Sequence, residues 1–178
     1  MKPILLFIPL FFLACQTTPN SQFLELHQAI QNADSLAFEE ALNKNPKSVS
    51  LRNSAGKTPL ILAAEAGQPG MVARLIENDA AINDTMPNGK NALHRTDNPD
   101  IIKLLLQNEA DPYQKDQYGN TPLRFNLNYS LRFSTLREQK NAALSAFLAS
   151  GVQFPFAGED GRWFMHNAAI VKHCALLR

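Results

Sequence analysis

A short phrase that begins with glycine recurs along the 178-residue chain, and this recurrence limits the folds that the chain can adopt. Gly56 opens the phrase Gly-Lys-Thr-Pro-Leu-Ile-Leu-Ala-Ala, and related phrases follow Gly89, Gly119 and Gly161. The successive glycines are separated by 33, 30 and 42 residues. A unit of this length cannot bury its own apolar face, so the repetition predicts a stack in which each unit covers its neighbour.

Each unit carries the residues that begin two helices. In the first full unit, Thr58 is suited to the N-cap and Pro59 to the first helical position, where its missing N–H costs nothing. The first helix is expected to end at Gly67-Gln68-Pro69, and residues 71–77 are expected to form the second helix. The second unit is shorter by three residues in the stretch between its helices, but Asn98-Pro99-Asp100 still begins a helix.

A turn followed by Thr-Pro-Leu-His-x-Ala, repeated at about 33 residues, resembles the ankyrin-repeat family. The resemblance implies an all-α solenoid of helix-turn-helix units joined by β-hairpin-like loops. It divides residues 23–178 into a cap repeat at 23–52, repeats at 53–83, 84–113 and 114–154, and a partial terminal repeat at 155–178.

Two further features follow from this resemblance. His94 and His166 occupy the His position of the motif, and His27 its equivalent in the cap, where the family uses the ring for hydrogen bonds to an adjacent turn. The family favours Gly after each second helix, and this chain has Asp79, Glu109 and Gly151 there. We expect a left-handed backbone at these three positions, at about 1 kcal/mol for each residue other than Gly.

The N-terminus has the features of an export signal over residues 1–14. Lys2 precedes an apolar stretch at 4–13, which is shorter than the roughly 20 residues that span a bilayer. The segment Phe12-Leu13-Ala14-Cys15 resembles the lipobox of bacterial lipoproteins, in which the cysteine is acylated. Residues 15–22 would then be lipidated Cys15 followed by a polar tether. Simple secretion and a retained signal anchor remain as alternatives.

This second resemblance also implies a location. In bacteria with two membranes, a lipoprotein without Asp after the acylated cysteine is sorted to the outer membrane, and here Gln16 follows Cys15. We therefore expect a lipid-anchored protein of the bacterial cell envelope, at the outer membrane and facing the periplasm. The alternative is a soluble periplasmic or secreted protein.

Charge and motifs limit the chemistry of the chain. It has 17 basic and 16 acidic residues, a balance that gives no electrostatic basis for binding nucleic acid. The sequence lacks C-x-x-C, H-E-x-x-H, G-x-S-x-G and the phosphate-binding loop. With Cys15 acylated, Cys174 has no disulfide partner. We expect no catalytic residue, no metal, no cofactor and no small-molecule substrate.

The family resemblance implies instead that the chain binds a protein. Ankyrin repeats contact partners through the tips of their hairpin loops and exposed positions of each first helix, which together form a concave face. The helix positions correspond to Leu62, Arg95 and Phe125, and the tips offer Met86, Asn88, Lys115 and Tyr118. The stretch between Phe125 and Ala142 contains a nine-residue excess, which is either a binding element or a longer helix pair.

We expect the partner to be a protein of the cell envelope, in addition to the bilayer that acylated Cys15 would enter. Two alternatives remain open. The chain could be an immunity-type or stabilising partner of an envelope enzyme, or it could be an uncharacterised periplasmic enzyme.

Overall fold

Helices that pack in pairs make up the computed structural model, which describes residues 19–125 and 137–152, with side chains for 25–125 and 142–152. The predicted leader, Cys15, most of the excess stretch and the partial terminal repeat lie outside the described residues, as do His166 and Cys174. Within the described residues there is no β-strand, and the predicted all-α class is confirmed. The helices are α1 (Pro19–Gln31), α2 (Ser35–Lys44), α3 (Pro59–Glu65), α4 (Pro69–Glu77), α5 (Pro99–Gln107) and α6 (Arg137–Ala149).

Shorter helical segments complete this set. The 3₁₀-helices are η1 (Pro46–Ser50) and η2 (Ala92–Arg95), and residues 122–125 form one further helical turn. Helix α1 begins at Pro19, inside the segment that was predicted as a polar tether.

The predicted helix starts are present. The Thr58 side chain accepts a hydrogen bond from the Ile61 amide at 3.3 Å and caps α3. The Asn98 side chain accepts from the amides of Asp100 at 2.9 Å and Ile101 at 3.3 Å and caps α5. Helix α3 ends before Gly67, as predicted, but α4 starts earlier than predicted, because Pro69 occupies its first turn.

The second repeat differs more from the expected pattern. Its shortening affects the first helix as well as the stretch between helices, since η2 is four residues long where α3 has seven. Asn91 caps η2 through a reciprocal arrangement, in which its side chain accepts from the His94 amide while the His94 ring accepts from the Asn91 amide. With three residues fewer, the chain leaves the helical conformation at Thr96 to reach the N-cap of α5 at Asn98.

The core runs continuously along the stack. Helix α1 packs against α2 and α3, α3 packs against α4 and η2, and α5 packs against α4, η2 and α6. Ile101, Ile102 and Leu105 on α5 are fully buried. Each of these side chains contributes on the order of 1.5–3 kcal/mol of hydrophobic free energy.

Three loops repeat the same backbone geometry. Asn53 N donates to Lys57 O, Met86 N to Lys90 O and Asp116 N to Asn120 O, each at 2.9 Å. In each loop the glycine of the recurrent phrase has a positive φ, between 73° and 79°. The recurrent glycine is therefore required by a left-handed turn that the repeats share.

The residues that follow the second helices have the expected left-handed backbone. Asp79 has a φ of 59°, Glu109 of 65° and Gly151 of 73°. Ala33, between α1 and α2, adopts the same conformation at 54°, which the motif did not predict. Among the residues that the structure describes, three other than glycine therefore carry this backbone strain.

Candidate partner-binding face

The three helix positions that were predicted to meet a partner differ in their exposure to solvent. Leu62 is only 6% exposed and belongs to the core, so its assignment to the exposed face is corrected. The physical reason is that α3 packs between α1, α4 and η2, which buries every residue from Pro59 to Ala64. Arg95 and Phe125 remain partly exposed, and Glu65 is the exposed residue at the end of α3.

A chain of ion pairs joins α3 to η2. Lys57 Nζ lies 2.5 Å from Glu65 Oε2, and Arg95 Nη2 donates to Glu65 Oε1. Partial burial alone would raise the pKa of Glu65, but the hydrogen bonds from Lys57 and Arg95 outweigh it and hold the pKa below its usual value. Glu65 is therefore ionised at neutral pH and holds two cations from adjacent repeats.

A second group connects the next two repeats. Lys90 Nζ lies 3.9 Å from the centroid of the Phe125 ring, a cation–π geometry. Burial and the positive charge of Arg95 lower the pKa of Lys90, although the Asp116 carboxylate partly opposes this. We call Lys57, Glu65, Lys90, Arg95 and Phe125 the charged face, because their contacts and mutual electrostatic effects link three successive repeats.

The histidines that can be described have the predicted structural role. His94 is fully buried, and its Nε2 donates to the Asn120 carbonyl at 3.0 Å, so it joins two repeats. The ring also lies edge-on to Phe125, with centroids 6.3 Å apart. His27 Nε2 lies 3.3 Å from the Lys57 carbonyl and connects the cap to the first full repeat in the same way.

The loop tips divide into two classes. Tyr118 is 71% exposed and Lys115 is also exposed, so both are available to a partner. Met86 packs against the core, and the Asn88 carbonyl accepts a hydrogen bond from the Gln117 amide at 2.9 Å. Met86 and Asn88 are thus only partly exposed and also hold the loops in place.

The sequence motif missed three residues of the charged face: Lys57, Glu65 and Lys90. A signal for two of them was present, because Lys57 and Lys90 both follow the recurrent glycine directly and so occupy equivalent positions in adjacent repeats. Glu65 lies beyond the motif, and only the packing of α3 on η2 brings it to Arg95.

Within residues 19–125 and 137–152, no helix combines the length and apolar character that crossing a membrane requires. In those same ranges, no three His, Cys, Asp or Glu side chains lie close enough together to hold a metal ion.

Comparisons with known proteins agree with this architecture. A family model described as ankyrin repeats, in three copies, matches residues 26–116. The chain is 34% identical over 101 residues to neurogenic locus notch homolog protein 1 of Mus musculus, and 36% identical over 94 residues to neurogenic locus notch homolog protein 2 of Homo sapiens. These matches cover 55% and 51% of this chain but only 4% of each relative.

A solved structure shows the same arrangement of helices. The crystal structure of the ankyrin repeat domain of Bcl-3, described as a unique member of the IkappaB protein family, is 26% identical to this chain, with a TM-score of 0.51. The match covers 56% of this chain and 45% of that chain. Because the family model matches half of the sequence and the helices stack as its repeats do, the chain belongs to the ankyrin-repeat family.

Proposed function

We propose that the protein is a non-enzymatic interaction module, tethered to the bacterial cell envelope, that binds a partner protein through its charged face and loop tips. The charged face is the observation that carries this proposal. It presents a charged and aromatic surface across three repeats, while Tyr118 and Lys115 extend from the neighbouring loop. Arg and aromatic side chains are enriched at the centres of protein interfaces.

The tether is proposed from the sequence. An acylated Cys15 would lie four residues before α1, close to the first packed helix. Several hydrocarbon chains on one terminus give stable anchoring, whereas one chain gives only marginal binding. We propose that the anchor lies in the outer membrane and that the repeats face the periplasm, because Gln16 follows Cys15.

Site-specific photo-cross-linking in intact cells tests the binding proposal. A photoreactive side chain at position 118 should give one discrete adduct with another protein, because Tyr118 is largely exposed at a loop tip. The matched control is position 103, where an exposed Lys lies on α5. The same adduct from both positions, or none at 118, would contradict the proposal.

Membrane fractionation tests the tether. Cys15→Ser should move the protein from the membrane fraction to a soluble fraction, because the acylated side chain is lost. Cys174→Ser is the matched control and should stay with the membrane. Retention of Cys15→Ser in membranes would exclude the proposed lipid anchor.

A further inference from the structure

Cations outnumber anions on the charged face. Lys57, Lys90 and Arg95 carry three positive charges there, whereas Glu65 carries one negative charge and uses one oxygen for Lys57 and the other for Arg95. The nearby Asp116 is only 5% exposed, and its Oδ1 accepts hydrogen bonds from the amides of Tyr118 and Asn120 at 2.9 Å. That carboxylate therefore maintains the loop and presents little surface to a partner.

Lys90, which lies on the Phe125 ring, and Arg95, which pairs with Glu65, keep unused hydrogen-bonding capacity. The ammonium of Lys90 rests against the ring face, and among the residues that the structure describes, the ion pairs of this face all use Glu65. The Arg95 side chain is 25% exposed, whereas its Nε is buried and lies out of a partner's reach. Residues 126–136, which follow Phe125 directly, contain no Asp or Glu in their sequence.

We propose that the charged face binds an acidic, extended segment of the partner protein, whose carboxylates pair with Lys90 and Arg95. This inference rests on the proposed function and names the chemistry of the partner. Partly buried cations close to each other repel, so a carboxylate between them lowers the electrostatic energy. Complementary charge of this kind raises the association rate and selects among partners.

The surroundings favour an acidic polypeptide over a nucleic acid. A base that stacks needs an open aromatic face, but the Lys90 ammonium covers one face of the Phe125 ring. The chain as a whole is nearly neutral, at a formal net charge of +1, so it lacks the extended positive field that attracts a phosphate backbone. Binding of a short acidic segment requires only the local excess of positive charge on the charged face.

Binding of a defined peptide to the whole protein tests the inference. The probe is a fluorescein-labelled Glu-Ala repeat peptide, with Gln-Ala and Lys-Ala repeats as matched controls. Only the Glu-Ala peptide should bind, and added salt should weaken its binding. Lys90→Gln and Arg95→Gln should each reduce the affinity by about tenfold. Lys103→Gln, which removes an equal charge from the exposed surface of α5, should change it by less than about twofold.

Glu65→Gln separates a binding effect from damage to the fold. It removes the anion that competes for Arg95, so the Glu-Ala peptide should bind more tightly, by a few-fold or more. A substitution that only disturbed the structure would weaken binding instead.

Several results would overturn the inference: equal binding of the Glu-Ala and Gln-Ala peptides, equal losses in Lys90→Gln and Lys103→Gln, or weaker binding in Glu65→Gln. Binding of a single-stranded oligonucleotide that Lys90→Gln abolishes, without peptide binding, would assign the face to nucleic acid. Tighter peptide binding after Glu159→Gln with Asp160→Asn would show that this chain's own acidic residues fill the face.

The cross-link at position 118 distinguishes failure of this inference from failure of the proposed function. If the adduct persists while the peptide does not bind, the protein has a partner of different chemistry, and only the acidic segment is excluded. If the adduct is absent and the peptide binds, the charged face is an acidic-peptide site but the envelope interaction is excluded.

Discussion

At the scale of single residues, His94 couples the stability of the stack to pH. Burial lowers the pKa of its ring below the usual 6.5, although the hydrogen bond to the Asn120 carbonyl and the charge of Asp116 oppose this. The unfolded chain therefore takes up a proton at a higher pH than the folded protein does. The contribution of neutral His94 is fully present above about pH 6.5 and is lost progressively as the pH falls below that value.

We therefore expect the free energy of unfolding of the wild type to fall between about pH 7 and pH 5, and His94→Gln to be less stable but to fall less steeply. Urea unfolding at several pH values measures both slopes. Glu65 and Asp116 have lowered pKa values, so their stabilising charge is lost only at more acidic pH and does not enter this window. Parallel slopes for the two proteins would show that His94 is not the titrating group.

Glu109 is a second residue with a measurable energetic consequence. Its left-handed backbone costs about 1–2 kcal/mol relative to a relaxed one, whereas glycine there costs about 0.5–1 kcal/mol of chain entropy. Glu109→Gly should therefore stabilise the protein by about 0.5–1 kcal/mol in thermal or urea unfolding. The hydrogen bond that Asn83 Nδ2 donates to the Glu109 carbonyl is a main-chain contact and survives the change.

The control is Lys103→Gly, an exposed residue inside α5, which should destabilise by about 1 kcal/mol. Destabilisation by Glu109→Gly as well would mean that the Glu109 side chain stabilises the turn by more than its backbone strain costs.

At the scale of elements, features that depend on neighbouring residues were predictable from the sequence, whereas features that depend on packing between repeats were not. Thr58 and Asn98 revealed the starts of α3 and α5, because an N-cap bonds only to the next few amides. The length of η2 could not be read from the motif, since it depends on how the shortened chain reaches α5. The partnership of Glu65 with Arg95 also required the packing of two repeats.

The glycines in the loops differ in how much an alanine substitution should cost, because only some of them lie against an adjacent loop. Gly89 has a φ of 79°, and a Cβ there would lie 3.1 Å from the Asp116 Cα, a backbone atom of the next loop. Gly67 has a similar φ of 66° but open space around a Cβ. Gly67→Ala should thus cost about 1–2 kcal/mol from strain alone, and Gly89→Ala about 1 kcal/mol more because the adjacent loop must move.

Urea unfolding of the two alanine variants checks this difference. The loss of helical circular dichroism with denaturant gives the free energy for each, and the wild type is measured alongside. Equal costs at the two positions would mean that the contact between the loops adds nothing to the strain of a left-handed alanine.

At the scale of the whole molecule, each unit contacts mainly its neighbours, so a substitution at one end should destabilise mainly the helices around it. Phe38 on α2 and Phe147 on α6 are both buried, at 1% and 0% exposed, in different parts of the stack. Helix α2 packs with α1 and η1, whereas α6 packs with α5. The same substitution at the two positions, Phe→Leu, should cost roughly 1 kcal/mol each by leaving part of the site unfilled.

Amide hydrogen exchange should then show two separate patterns. Phe147→Leu should accelerate exchange in α5 more than in α1, and Phe38→Leu should do the reverse, because stability in a repeat stack is a sum of units and their interfaces. Proteolysis at low protease concentration should cleave the same regions first. If both variants accelerated exchange equally from α1 to α5, the described helices would open as one cooperative unit, and coupling across the whole core would exceed that between neighbouring repeats.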